Sequence, residues 1–161
     1  MPYEMRRSER KLKNEDVFRI LREGEYGVLS TCGEDGYPYG VPVNYAFTND
    51  RIVFHCAPGV GHKLKNLEFC EKVSFTVVGQ HEVEAAGFTD RYESVICFGS
   101  ARILTDDAEK RSALLALAEK YSPEYREQGL KYIESSLAKT GICEIRIEHM
   151  TGKGNRRNKQ D

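Results

Sequence analysis

The stretch Ala57-Pro58-Gly59-Val60-Gly61-His62-Lys63 concentrates residues that can do chemistry. Two glycines let backbone amides turn toward an anion. His62 and Lys63 add side-chain donors at the start of a predicted helix, whose N-terminus carries partial positive charge. That combination suits a phosphate. It is not a P-loop, because G-x-x-x-x-G-K-[ST] is missing, and Leu64 stands where a dinucleotide fingerprint needs a third small residue. An ordinary strand-to-helix turn would use the same residues.

Upstream, Tyr39, Val41, Val43, Tyr45 and Phe47 fall on one face of a predicted strand, and Gly40, Pro42, Asn44 and Ala46 on the other. The first set suits a core. The second is small or polar, and Pro42 has no N–H for a neighbouring strand. A flat ligand could lie there, bonded to free backbone groups of Val43 or Asn44; a solvated edge strand has the same pattern. His55 ends the next apolar strand. Its imidazole could relay a proton or stack on a ligand ring, or be a structural histidine. His55-Cys56 is no metal pair, because adjacent strand residues point to opposite faces. Tyr92, Glu93 and Ser94 open a long strand whose polar positions could reach a partner subunit's ligand or simply be solvated. His81-Glu82 lacks a second histidine, and no G-x-S-x-G surrounds Ser30, Ser94 or Ser100.

The elements that must position these residues follow from periodicity and punctuation. Asn14 is expected to cap a short helix stopped by Gly24. Strands are expected over 26–32, 39–47, 51–57, 72–78, 92–104 and 142–149, with a helix after Lys63 and a loop over 79–91. Gly99 marks a bulge or close approach. Asp106 should cap a helix, and Ser122-Pro123 should open another over 123–138. About six strands joined mostly by tight turns make a mainly β, antiparallel fold, a small closed or split barrel with flanking helices. One domain is expected over 1–151, with a basic, disordered tail at 152–161.

Composition narrows the function. The chain has 161 residues, with 24 Lys+Arg against 25 Asp+Glu. A net charge of -1 argues against nucleic-acid binding driven by bulk charge. Five cysteines without a C-x-x-C pair read as reduced, buried thiols of a cytoplasmic protein. The charged N-terminus has no apolar signal region, and no run approaches the ~20 apolar residues of a membrane helix.

Taken together, MRRSERKL, GVLST at 27–31, DGYPYGVPVNY at 35–45, IVFHCAPGVGHKLKNL at 52–67, KVSFTVV at 72–78, YESVICFGSARIL at 92–104 and IRIEHMTGK at 145–153 resemble the pyridoxamine 5′-phosphate oxidase-like flavoproteins, most closely their nitroimidazole-reductase branch. The resemblance implies an FMN-binding split barrel and a homodimer with two FMN sites at its interface. It implies that the backbone of Pro42, Val43 and Asn44 runs along the flavin ring, with Leu29, Ser30 and Thr31 on the neighbouring strand. Gly61, His62 and Lys63 would hold the phosphate, His62 standing where many oxidases have arginine. His55 would be the catalytic histidine near the flavin, and Tyr92, Glu93 and Ser94 would approach from the other subunit. NADH or NADPH would reduce the flavin, which would reduce a nitroaromatic or other small acceptor. The chain has no Trp, and so lacks the Trp-rich end of true pyridoxamine phosphate oxidases. A non-catalytic flavin- or haem-binding module is the alternative.

Overall fold

The structure, a computed structural model, describes residues 4–156. Helix α1 (Asn14–Glu23) leads into β1 (Gly27–Cys32), β2 (Pro38–Val43), β3 (Ala46–Thr48) and β4 (Arg51–Cys56). Then come α2 (His62–Phe69), β5 (Lys72–Glu84), β6 (Thr89–Ile103), α3 (Asp107–Tyr121), α4 (Arg126–Ser136) and β7 (Gly141–Asn155). The seven strands form one antiparallel sheet in the order β2-β1-β5-β6-β7-β4-β3. Its two edges, β2 and β3, are separated by only Asn44 and Tyr45. The sheet must therefore curl until its edges approach, an open barrel rather than a closed one.

The alternation expected of the strands fills the inside of that curl. Leu29, Phe75, Val77, Val95, Ile52, Phe54, Cys143 and Ile145 are buried there, closed over by Val17, Ile20 and Leu21 of α1. Fully burying such a side chain stabilises the fold by roughly 1.5–3 kcal/mol. The outward-facing residues line up in rows. Pro42, Val28, Thr76, Ile96 and Thr151 lie opposite one another across five strands, and Gly40, Ser30, Ser74, Phe98 and His149 form the adjacent row. No member of either row is buried.

Four expectations about elements change. The strand over 39–47 is two strands, because Tyr45 leaves the ladder: its backbone N–H donates to Tyr121 Oη at 2.9 Å and its carbonyl accepts from the same hydroxyl at 2.8 Å. The loop over 79–91 is a two-stranded arm, in which His81–Glu84 pair with Thr89–Tyr92 beyond a register shift after Val78. The tail boundary moves, because β7 runs to Asn155, with Gly152 opposite Val95 and Gly154 opposite Glu93. Both glycines pack closely: a Cβ on Gly152 would sit 2.6 Å from Val17, and one on Gly154 2.8 Å from Leu12, so those side chains would have to shift. The remaining tail, 157–161, lies outside the described residues. Finally, Asn14 is the first helical residue rather than the cap, and α1 has no side-chain cap.

Other local readings match. Asp106 caps α3, accepting from the Glu109 amide at 2.9 Å, and the register shifts at Phe98/Gly99. Asn49 and Asp50, with φ of 49° and 57°, make the two-residue turn between β3 and β4. Cys56, Cys97 and Cys143 are buried, but Cys70 is half-buried and Cys32 exposed, and all five are free thiols. Among the described residues no helix is long and apolar enough to cross a membrane.

Candidate functional site

β2 is an edge strand, and its prolines decide which way its backbone faces. Pro42 stands opposite Val28 and has no N–H to give β1. In an antiparallel ladder, donors alternate between the two sides of a strand. The residues sharing Pro42's parity, including Gly40, thus turn their backbone groups to the open edge, while Val41 and Val43 turn theirs to β1. By this parity the Val43 backbone faces β1, and the backbone groups of Gly40 and, past the strand's end, Asn44 face the open edge. The Asn44 side chain donates to the Glu25 carbonyl at 3.1 Å.

The opposite wall of the opening is the end of β4. The β3 ladder stops at Val53, so His55 and Cys56 pair with β7 on one side and carry no strand on the other. Continuing the β3–β4 register two residues past its end puts Asn44 opposite His55. His55 is exposed, on the face shared by Val53 and Ile142.

The turn at 57–61 closes this opening. Gly59 and Gly61 have φ of 68° and 113°, conformations that side-chain-bearing residues rarely adopt, and a Cβ at either would meet nothing within 4 Å. Gly61 immediately precedes α2, and its carbonyl accepts from the amides of Leu64 and Lys65. The amides of His62 and Lys63, in the first turn, have no intrahelical acceptor. That turn contains no acidic residue, and neither His62 nor Lys63 has a carboxylate in ion-pair contact among the described residues. His62 is exposed and Lys63 half-buried. Lys63 lies close enough to Cys56 to offset part of the upward push that burial gives its thiol.

Two contacts fix this turn against the strands. The His62 ring packs on the Tyr39 ring, with centroids 4.1 Å apart. Behind it, buried Asn66 Nδ2 donates to Thr31 Oγ1 at 2.9 Å. The Tyr39–His62 contact therefore joins the donors of the turn to the free edge of β2, and His55 lies on the strand that leads into that turn. The donor set fits an elongated ligand with a phosphate at one end and a flat polar ring at the other.

A family model described as pyridoxamine 5′-phosphate oxidase matches residues 13–154. The chain belongs to this family. Solved structures carry the same fold. A candidate 5-nitroimidazole antibiotic resistance protein from Bacteroides thetaiotaomicron superposes with a TM-score of 0.77 at 23% identity, over 89% of this chain and 85% of that one. An FAD- and haem-binding protein from Mycobacterium smegmatis gives 0.79 at 20% identity, over 92% and 74%. A flavocytochrome from Azotobacter vinelandii gives 0.80 at 20%, over 98% and 77%. No curated protein matches the sequence.

In this family member the expected site residues divide. Ser30 shares the outer face with Gly40 and Pro42, whereas the side chains of Leu29 and Thr31 point into the core. Glu93 departs from expectation. Its side chain is buried, accepts from Arg19 at 2.8 Å on both oxygens, and accepts from Arg156 at 2.7 Å. Burial alone would raise its pKa, but the two arginines outweigh it and hold the carboxylate below its ordinary value. It pins α1 and the end of β7 to β6 and is not offered to a partner. Tyr92 and Ser94 face outward and are half-buried.

Three residues of the arrangement escaped sequence reading. Asn66 and Tyr39 look like a helix-surface polar residue and a core aromatic. Tyr121 looks like part of a helical apolar stripe, yet its hydroxyl accepts from the Tyr45 amide and shares its one proton between the carbonyls of Tyr45 and Glu25, the latter at 2.6 Å. Each acts through a contact distant in sequence, which periodicity does not encode.

Proposed function

We propose that the chain binds FMN in the opening between β2 and β4 and, as a homodimer, acts as an oxidoreductase. NADH or NADPH is the donor, and a nitroaromatic or other small molecule is the acceptor. The observation that carries this reading is the Tyr39–His62 contact, which joins the free edge of β2 to an unpaired cationic turn. Family membership and flavin-binding structural neighbours support it. Lys63, His62 and the first amides of α2 hold the phosphate, and the Gly40 edge orients the ring. His55 holds or releases a proton at its imidazole. Bound FMN supplies hydride or electron transfer, while the protein sets orientation and access.

The homodimer is supported by what one chain leaves open. Gly40, Pro42, Asn44, Gly61 and His62 are all exposed, so one copy offers a surface rather than a pocket. The adjoining sheet face carries Val78, Ile96 and Phe98 at 59%, 38% and 41% exposure.

The test is the absorbance spectrum of the purified protein, followed by anaerobic reduction with each nicotinamide. A flavin spectrum is expected. A Soret band would replace FMN by haem, and a colourless protein that takes up neither would overturn the reading. Lys63→Ala should weaken flavin retention roughly tenfold, the value of one hydrogen bond to a charged group. His55→Ala should retain flavin but lose turnover of a nitroimidazole; unchanged turnover removes His55 from the chemistry.

A further inference from the structure

Helix α2 presents two faces. His62 and Asn66, one turn apart, meet Tyr39 and Thr31 on the side of β1 and β2. Leu64, Leu67 and Glu68 fall on the other side of the helix. They border a cavity of about 320 Å³, which neither His62 nor Lys63 lines. It lies where β4, β6 and β7, neighbours in the sheet, come to a common end at Cys56, Ile103 and Gly141. Its volume falls within the range of small-molecule sites, roughly 300–1,000 Å³.

Leu64, Leu67, Ala101, Leu104 and Ala138 give the cavity an apolar body. Lys110, from the first turn of α3, is the exception. It is only 9% exposed. Its ammonium has three N–H donors, and one goes to the Leu137 carbonyl at 2.5 Å. Leu137 begins the short turn Leu137–Lys139 that follows α4, so this bond caps the end of that helical segment. Among the described residues Lys110 has no carboxylate in ion-pair contact.

The other polar groups of the cavity do not supply that counter-charge. Arg102 is a second cation, already matched by Glu109 and Glu144. Glu68 is exposed and forms no ion pair with Lys110. Burial pushes the Cys56 thiol up, which keeps it neutral. A buried charge is costly unless it is both hydrogen-bonded and paired. The Leu137 carbonyl meets the first condition alone, and an anion in the cavity would meet the second. One ammonium balances one negative charge, and the apolar walls suit a carbon body, so a monocarboxylate fits better than a phosphate.

We propose that this cavity binds a small apolar monocarboxylate, with its head on the Lys110 ammonium and its body against Leu64, Leu67 and Leu104. Such a ligand rests on Pro58 and Gly59, behind the turn that leads into α2. The site is separate from the opening between β2 and β4 and does not depend on the flavin reading.

Two measurements test it on the purified full chain. Calorimetry compares octanoate with neutral 1-octanol. The wild type should bind octanoate at least about tenfold more tightly, the value of one hydrogen bond to a charged group. Lys110→Met keeps the aliphatic stem and removes the charge. It should erase that preference by weakening octanoate, with the alcohol within about twofold of wild type. A wild type that binds both alike, or a Lys110→Met protein that keeps the preference, would overturn the proposal. Methyl NMR of the wild type locates the ligand even where Lys110→Met fails to fold. Octanoate should give NOEs to the methyls of Leu64, Leu67 and Leu104. NOEs confined to other methyls, or no binding at all, would overturn it. Flavin is read separately by absorbance: a colourless protein that binds octanoate in this cavity would remove the flavin reading and leave this one standing.

Discussion

Across β3, β4 and β7 the outer surface of the sheet is roofed by α3, and Ala46, Val53, Leu104, Ala113, Leu117 and Ile142 form a second buried cluster beneath it. Across β1, β5 and β6 the same surface is bare, and Val78, Ile96 and Phe98 stand in solvent. Burial follows the roof: Ile52, Val53 and Phe54 of β4 are buried in an unbroken run, because both faces of the strand are covered, whereas β1 and β5 alternate. The roofed half is made for stability, and its roof also reaches the site, through Tyr121 at the β2–β3 break. The bare half keeps contiguous apolar surface that a lone soluble chain would be expected to cover.

The largest effect should come from breaking the roofed half. Ile142 is fully buried, directly opposite His55. Ile142→Ala removes packed volume from a site that can collapse only partly, and should cost about 3 kcal/mol, read as a shift in the urea midpoint. A loss below about 1 kcal/mol would mean that α3 sits on the sheet without close packing.

A smaller effect is expected at Glu93, where α1 and β7 are tied to β6. Glu93→Gln leaves Arg19 and Arg156 without their counter-charge, but both remain partly exposed and can rehydrate. The cost should be about 2 kcal/mol at neutral pH, below that of a fully buried pair. Because the folded-state pKa of Glu93 is depressed, its contribution is present above the ordinary carboxylate value of 4.5 and is lost as pH falls through the folded value. The wild-type advantage over Glu93→Gln should therefore shrink in acid. An advantage that stays constant down to pH 3 would show that packing, not charge, makes the tie.

The same division explains what was legible in the sequence. Inner-face strands were readable wherever burial enforces alternation, as in GVLST and KVSFTVV. The arm was not, because QHEVEAAG is polar on both faces and its pairing depends on the hairpin alone. The end of β7 was hidden by composition: Lys, Gly and Asn suggest disorder, yet Gly152 and Gly154 lie in the ladder, packed closely against Leu12 and Val17. At the site, the glycine turn and the small face of β2 were visible as types and spacing. The assignment of Glu93 to a ligand failed because its partners, Arg19 and Arg156, lie 74 and 63 residues away. The β2–β3 break stayed invisible because Tyr45 keeps the apolar alternation while its backbone is captured by Tyr121.

The smallest effect on stability should come from the bare half, where the comparison is sharpest. Phe98 is 41% exposed and faces away from the core. Phe98→Ser leaves no cavity inside the chain, so chain stability measured at low concentration should move by less than about 1 kcal/mol. Association should respond instead. If the bare face meets its own copy, each substitution is felt twice in a two-fold contact, and sedimentation should show the dimer dissociating at concentrations where wild type remains paired. On the proposed two-chain flavin site, flavin retention should fall with it. Alanine at Ile142 would leave association unchanged at temperatures where the chain stays folded. A Phe98→Ser protein that unfolds readily but still pairs would reverse the roles of the two halves, and would show that the bare face is packed within the chain.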